Sequence, residues 1–285
     1  MTTNSTVATD ATQIMPSPQM FQFEGLSIRM IRSGAADGIP IVMTSPWPES
    51  VYAFRLIWPQ LAELGPLVAI DLPGFGMSDA NHDALSPAGM GAFILRLLDA
   101  LGIARCHAIG PDVGTTAFLF AAAQDPERFA TLSLGSGGAG MDLLGEQLLG
   151  VIAAPQDALD AGPEALQIVD MIGALVAAPT PPDVMEDYRL SSADGRFAVA
   201  AAFVRAYPTD LPKLSEIAPH IVTPVLVLSG RDDPLVPPSN GDLLLRILPH
   251  CRHEVVDCGH FVWEDAPDAY ARFAGDWIRS GGALA

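Results

Sequence analysis

An aspartate stands at the centre of the segment Gly110-Pro111-Asp112-Val113-Gly114. Residues 106–110 are mostly apolar and strand-like, and residues 113–124 are small, apolar and free of proline. This pattern predicts a strand, a tight turn and a helix, which is the setting of a nucleophile elbow. A carboxylate at that turn is suited to attack an sp3 carbon and form a covalent alkyl ester. Taken alone, the segment fits an ordinary loop aspartate equally well.

Two residues further along the chain could complete the chemistry. Asp233 follows the strand-like residues 225–228, and His260 follows a second strand-like run, residues 253–256. Loops at the carboxyl ends of parallel strands meet at one edge of a sheet, so we expect Asp112, Asp233 and His260 to converge. His260 would then act as the base, held in the right tautomer by Asp233.

The elements that must position these residues alternate between strands and helices. Short strand-like runs are separated by helical segments, and Ser86-Pro87 gives a strong helix start. This alternation predicts an α/β fold with a mostly parallel sheet covered by helices on both faces. From residue 141 to about residue 214 there is no strand signal, and an all-helical insertion at that place is typical of a lid.

The expected organisation is therefore a tail, a core and a cap. Residues 1–20 are rich in Thr, Ser, Ala and Gln and predict a disordered tail. Residues 21–138 and 216–285 form the core domain, and residues 139–215 form the helical cap.

Composition and charge exclude several classes of function. The chain of 285 residues carries 15 Lys and Arg against 33 Asp and Glu, a net charge of −18. Such a surface repels phosphate backbones and anionic membranes, so we expect neither nucleic-acid nor membrane binding. The N-terminal residues lack a signal-peptide pattern, and the three cysteines show no metal-ligand spacing. We expect a cytoplasmic protein without a metal site.

Several motifs together resemble those of α/β-hydrolases, over residues 21–278. More narrowly, they resemble the aspartate-nucleophile branch that holds epoxide hydrolases and haloalkane dehalogenases. The motifs, besides the elbow, are Ser45-Pro46-Trp47-Pro48-Glu49-Ser50 where the family has His-Gly-x-Pro, Asp71-Leu72-Pro73-Gly74-Phe75-Gly76-Met77-Ser78, Gly230-Arg231-Asp232-Asp233 and Gly259-His260-Phe261. The resemblance implies an α/β-hydrolase fold, with a mostly parallel eight-stranded sheet flanked by helices and an inserted helical cap. It also implies the order nucleophile, acid, histidine, and the choice of Asp233 over Asp232.

The resemblance also implies an oxyanion hole built from the backbone N–H groups of Trp47 and Val113. Haloalkane dehalogenases typically place a tryptophan directly after the nucleophile to cradle the halide, whereas this chain has Val113. Trp47 is an aromatic choice similar to that of epoxide hydrolases. The chain departs from the family at Ser45-Pro46, where proline restricts the backbone that carries the Trp47 N–H.

Epoxide hydrolases use cap tyrosines to protonate the opening ring oxygen. The cap holds two candidates, Tyr207 and Tyr188, and either could instead pack as part of an amphipathic helix. The leading hypothesis is a cofactor-free hydrolase that opens a small, apolar, uncharged epoxide, with water as second substrate. The alternatives are a haloalkane dehalogenase and a catalytically weak binding or signalling protein. A homodimer is compatible with the sequence, which gives no oligomeric state.

Overall fold

The computed structural model describes residues 15–33 and 37–284 of the chain. Its eight strands are β1 Gln19–Phe23, β2 Leu26–Arg32, β3 Ile41–Thr44, β4 Leu67–Ile70, β5 Cys106–Pro111, β6 Phe129–Gly135, β7 Val225–Gly230 and β8 Cys251–Val256. They form one sheet in the order β1-β2-β4-β3-β5-β6-β7-β8. The β1–β2 and β2–β4 pairs are antiparallel, and the other five pairs are parallel. The predicted fold class is confirmed.

Helices cover both faces of this sheet. The α-helices outside the long insertion are α1 Trp58–Ala62, α2 Pro87–Ala100, α3 Val113–Gln124, α10 Ser239–Ile247, α11 Val262–Asp265 and α12 Pro267–Arg279. On one face, α2 and α3 bury Phe93 and Phe118 against the strands. On the other face, α1 and α12 contribute Trp58 and Trp277. The central strands are buried on both sides, which is why β5 and β7 read as nearly continuous apolar runs.

The start of α2 shows how local sequence fixes an element. The Ser86 hydroxyl accepts a hydrogen bond from the Gly89 N–H at 3.0 Å, and Pro87 occupies the first helical position. The helix ends at Ala100, and Gly102 then adopts a φ of 70°, a region that favours glycine. The serine cap and the proline are the signals from which this helix is predicted.

The insertion between β6 and β7 is entirely helical and occupies residues 141–220. Its α-helices are α4 Glu146–Ala153, α5 Leu166–Leu175, α6 Pro182–Ser192, α7 Arg196–Ala200, α8 Ala202–Arg205 and α9 Tyr207–Ile217. Short 3-10 turns complete it at Met141–Leu143, Gln156–Leu159 and Ala218–His220. No helix in the described part of the chain is both long and apolar enough to cross a membrane.

Two acids of the insertion fasten it to the core. Asp187 on α6 pairs with Arg29 of β2 at 2.6 and 3.0 Å. On α9, Asp210 accepts a hydrogen bond at 3.0 Å from the Ala88 N–H in the first turn of α2. These contacts hold the insertion over the carboxyl edge of the sheet at two separate points.

Residues 15–20, predicted to belong to the tail, are part of the folded core. The tail was expected to extend to Met20, and its residues 1–14 lie outside the described residues. Met15, however, is buried in the core, and Gln19 and Met20 already belong to β1. The cause is pairing: Gln19 and Met20 lie opposite Met30 and Arg29 of β2, and this ladder provides backbone partners that composition alone does not reveal.

Candidate active site

Asp112 lies at the turn between β5 and α3. Its backbone has φ 52° and ψ −121°, a strained conformation for a residue with a side chain. The neighbouring glycines allow the close packing that holds this turn. A Cβ on Gly114 would lie 2.4 Å from the Thr44 hydroxyl oxygen, and a Cβ on Gly137 would lie 2.4 Å from the Asp112 carbonyl oxygen. The segment therefore forms the sharp strand-to-helix turn that its sequence predicts.

The two oxygens of the Asp112 carboxylate have different surroundings. Oδ2 accepts a hydrogen bond from the Trp47 N–H at 2.7 Å, and the Val113 N–H also donates to the carboxylate. Oδ1 is 4.0 Å from His260 Nε2, which is beyond hydrogen-bonding distance. Pro46 therefore does not prevent the Trp47 N–H from reaching the elbow. Oδ2 lies at the expected oxyanion hole, and Oδ1 lies on the side of His260.

His260 is held from behind by Asp233. His260 Nδ1 lies 2.8 Å from Asp233 Oδ2, and because an ionised carboxylate can only accept, Nδ1 carries the proton. The other Asp233 oxygen accepts from the N–H groups of Leu235 and Val236 at 2.8 and 2.9 Å. Nε2 of His260 is consequently left unprotonated and directed at Asp112, the arrangement of a general base with its orienting acid.

Burial shifts the pKa values of both reacting groups. Burial raises the pKa of Asp112 to about 6, against the opposing effects of His260 and of the Trp47 and Val113 N–H groups. Burial alone would lower the pKa of His260, but the Asp233 carboxylate outweighs it and raises that pKa. The free carboxylate and the neutral imidazole therefore coexist only above mildly acidic pH.

An apolar cavity opens over Asp112 and His260. Its interior volume is about 80 Å³, which leaves room for a small molecule only. Its polar lining residues are Asp112, His260 and Gln147 of α4. The remaining lining residues are Trp47, Pro48, Leu148, Val151, Met171, Leu175, Phe197, Val204, Leu235, Val236 and Phe261. Gln147 could not be predicted as a site residue, because one glutamine on a surface helix forms no sequence pattern that indicates a binding site.

Neither cap tyrosine lines this cavity. Tyr207 is buried close to the elbow, where Thr116 and the backbone of Gly138 lie beside its phenol group. Burial and the nearby Asp112 carboxylate raise the pKa of Tyr207. Tyr188 is also fully buried, and its hydroxyl donates to Glu264 Oε1 at 3.1 Å. Tyr207 is thus close to Asp112, whereas Tyr188 contacts Glu264.

That contact belongs to a group of buried polar residues that we call the Arg55 cluster. Its members are Glu49, Arg55, Tyr188, Trp263 and Glu264. Arg55 pairs with both oxygens of Glu264, one of them at 2.6 Å, and the Trp263 indole N–H donates to Glu49 Oε2 at 2.7 Å. Burial, reinforced by the Glu264 charge, raises the pKa of Glu49 well above its usual range. The sequence does not reveal this cluster, because Arg55 and Glu264 lie 209 residues apart and share no motif.

Comparison with known proteins gives the class of the molecule. Residues 42–273 match the alpha/beta hydrolase family, to which the chain belongs. It is 30% identical over 227 residues to a 2-hydroxy-6-oxononadienedioate/2-hydroxy-6-oxononatrienedioate hydrolase of Burkholderia vietnamiensis, covering 75% of this chain and 76% of that protein. It is also 30% identical over 251 residues to the dihydrolipoyllysine-residue acetyltransferase component of the acetoin cleaving system of Pseudomonas putida, covering 84% of this chain but only 65% of that protein.

Solved structures show the same architecture. Cfl2 from Burkholderia cenocepacia superposes with a TM-score of 0.80 at 26% identity, over 92% of this chain and 95% of that one. The haloalkane dehalogenase DbeA from Bradyrhizobium elkani superposes with a TM-score of 0.80 at 20% identity, over 93% and 98% of the two chains. The latter likeness is one of fold. The protein is a hydrolase of the α/β family, whose reaction has to be argued from its own site.

Proposed function

We propose that the protein hydrolyses a small, apolar, uncharged substrate through a covalent ester on Asp112, in the manner of the aspartate-nucleophile branch. The single observation that carries this proposal is the difference between the two Asp112 oxygens. Oδ2 is held by the Trp47 N–H at 2.7 Å, while Oδ1 lies on the His260 side, 4.0 Å from Nε2 and not bonded to it. A carboxylate fixed by one oxygen is oriented to attack with the other.

The reaction has two steps. Asp112 Oδ1 forms a bond to the substrate carbon, and the electron pair of the breaking bond goes to the departing oxygen or halide. Water then attacks the ester carbonyl while His260 Nε2 takes its proton, and the charge developing on Oδ2 is stabilised by the two N–H groups. Cleavage of the bond between the carbonyl carbon and Oδ1 releases the product alcohol, which takes the proton back from His260.

An epoxide is the substrate class that we favour. Val113 supplies no side-chain donor for a halide at the position after the nucleophile, and the cavity walls are almost wholly apolar. The opening ring oxygen must gain a proton, and Tyr207 is the predicted donor next to the elbow. Burial and the Asp112 carboxylate raise the pKa of Tyr207, so its hydroxyl keeps the proton that it would donate to the ring oxygen.

A haloalkane is the second candidate, because of one specific observation. Neither Tyr207 nor Tyr188 is among the residues that line the cavity. A halide leaves as an anion and needs no proton, so its departure would not require either phenol. The two candidates differ in product: an epoxide gives a diol, whereas a haloalkane gives an alcohol and free halide.

The covalent step is tested by a single turnover in 18O-water with enzyme in excess. Mass spectrometry of the peptide that contains Asp112 should show 18O in its carboxylate, because water attacks the ester carbonyl. The His260→Gln variant should accumulate the ester, visible as an increase in intact mass equal to the substrate. Absence of both signals with a panel of epoxides and haloalkanes would exclude the proposal and leave the binding-protein alternative.

The role of Tyr207 is tested separately, with a matched control. Tyr207→Phe should slow diol formation strongly and leave halide release from haloalkanes unchanged. Tyr270→Phe is the control, since Tyr270 is another buried tyrosine whose hydroxyl has no partner in the described residues. Equal diol rates for the two variants would remove Tyr207 from the site.

A further inference from the structure

Strand β8 forms one edge of the sheet and leaves a row of backbone groups unpaired. The carbonyl groups of His250 and Val256 accept hydrogen bonds from the Val225 and Arg231 N–H groups at 3.0 and 2.8 Å, so these two residues face β7. Because backbone direction alternates along a strand, the groups of Cys251, His253 and Val255 point the other way. In the described part of the chain, these three N–H and three C=O groups have no hydrogen-bond partner.

The charged side chains of β8 would lie opposite residues of the other sign in a second copy of β8 in one register only. Arg252 and Glu254 lie on the same face of β8, where Arg252 Nε donates to Glu254 Oε1 at 2.7 Å, and both are partly exposed, with side-chain exposures of 41% and 28%. If a second copy pairs antiparallel with His253 opposite His253, all six groups of each copy find partners. Arg252 of each copy then lies opposite Glu254 of the other, at the non-hydrogen-bonded positions where side chains are closest.

The two neighbouring registers are disfavoured both by charge and by the number of paired backbone groups. A shift of the axis to residue 252 places arginine opposite arginine, and a shift to residue 254 places glutamate opposite glutamate. Each shift also leaves one outer residue of every strand unpaired. Like charges directly opposite each other destabilise a strand pair, so the sequence of β8 specifies the register centred on His253.

We propose that the protein forms a two-fold dimer through antiparallel pairing of β8, which joins two eight-stranded sheets into one. An isologous contact of this kind is the commonest form of homo-oligomer. Apolar side chains flank the strand: Val255 is 36% exposed, and Leu245 on α10 is 45% exposed. Helix α10 packs on β8, with Gly241 against His253. Leu245 follows one turn later, beside the Cys251 end, which the two-fold axis brings to Val255 of the other copy.

The test is the mass of the full chain in solution, measured by sedimentation velocity across a concentration series. We expect a monomer–dimer equilibrium that is weakened on the order of tenfold by Arg252→Glu or by Glu254→Arg, each of which opposes like charges. The double swap, Arg252→Glu with Glu254→Arg, should restore the wild-type equilibrium. Arg96→Glu is the matched control, because Arg96 is an exposed, ion-paired arginine far from β8 on α2.

A backbone variant checks the pairing itself. Val255→Pro removes an N–H that points away from β7, so it should leave the β7–β8 ladder and the melting temperature intact while weakening the dimer. A chain that stays monomeric at every concentration overturns the proposal. A dimer that is indifferent to both charge reversals and to the proline also overturns it, because its interface must then lie elsewhere. Neither result bears on the ester chemistry of Asp112.

Discussion

Two groups of buried carboxylates lie close together in this protein and are treated in opposite ways. In the Arg55 cluster, Glu264 is paired with arginine and tyrosine, and Glu49 receives the Trp263 N–H. At the elbow, the Asp112 carboxylate has no basic partner within hydrogen-bonding distance among the described residues: His260 Nε2 lies 4.0 Å from Oδ1, beside a cavity. Both groups are desolvated, but only the elbow retains a reactive anion. The paired acids of the Arg55 cluster stabilise the packing of the fold. The burial of Asp112 destabilises the fold, and it leaves a carboxylate that can react.

The largest expected effect comes from removing the anion at the elbow. Asp112→Asn should abolish turnover, by a factor on the order of 10⁴ or more, because the nucleophile is lost. It should also stabilise the fold. A folded-state pKa of about 6 means that the native state binds a proton more tightly than the unfolded chain, so ionisation costs stability at neutral pH.

The pKa of Asp112 rises from 3.8 to about 6 on folding, a shift of roughly two units, and each unit corresponds to about 1.4 kcal/mol. The free energy of unfolding should therefore increase by about 3 kcal/mol on this substitution. Activity assays together with urea unfolding at pH 7 measure both quantities. A variant that is inactive and also less stable than the wild type would show that Asp112 is not strained by its burial.

The Arg55 cluster should respond in the opposite way. Arg55→Met removes the charge that compensates Glu264 and Glu49, and it leaves two buried acids with no counter-ion. We expect a loss of about 3–5 kcal/mol in the free energy of unfolding, with the remaining folded fraction still active. Urea unfolding checks this, with Arg279→Met as control for an exposed ion pair of little consequence. An unchanged midpoint would contradict the structural role.

The pH dependence of ester formation tests whether the buried Asp112 carboxylate must be ionised to react. Asp112 must be ionised to attack, and its raised pKa is about 6. The rate of ester formation should therefore be constant above pH 7 and should fall about tenfold per pH unit well below pH 6. His260, whose pKa is also raised, must be neutral for the second step, so acid slows both steps. Rapid-quench measurements of the ester would show this; a rate that is flat down to pH 4 would exclude it.

The last effect is expected at Glu49. Burial and the Glu264 charge raise its pKa, so the folded protein binds this proton more tightly than the unfolded chain does. Glu49→Gln keeps an acceptor for the Trp263 N–H and removes the titration, so the variant should be at least as stable as the wild type at pH 7. As pH rises, the variant should become more stable relative to the wild type, because only the wild type has a proton to lose.

Glu49→Ala is the contrasting variant, since it leaves the indole N–H without an acceptor and should cost about 1–3 kcal/mol. Equal losses for the glutamine and alanine variants would mean that Glu49 is ionised in the folded protein. In that event the two carboxylate groups would differ less than their contacts indicate.

The sequence predicted whatever depends on local pattern and chain order. The strand runs, the Ser86-Pro87 helix start and the carboxyl-edge positions of Asp112, Asp233 and His260 follow from periodicity and parallel topology. The directions of Tyr188 and Tyr207 did not follow, because each depends on which buried partner the packed cap offers. The pairing of Arg55 with Glu264 was equally hidden, since it joins two distant segments that carry no shared motif.

The position of Asp112 Oδ2 has a consequence for inhibitors. In hydrolases that use a serine nucleophile, electrophilic phosphonates and boronates react with the hydroxyl and place an oxygen in the oxyanion hole. Here the enzyme's own carboxylate oxygen already occupies that place, held by the Trp47 N–H at 2.7 Å. Reagents designed for serine hydrolases would meet an anion and an occupied hole. Activity-based profiling with such probes should therefore pass over this protein, whereas alkylating probes with a reactive sp3 carbon should label it.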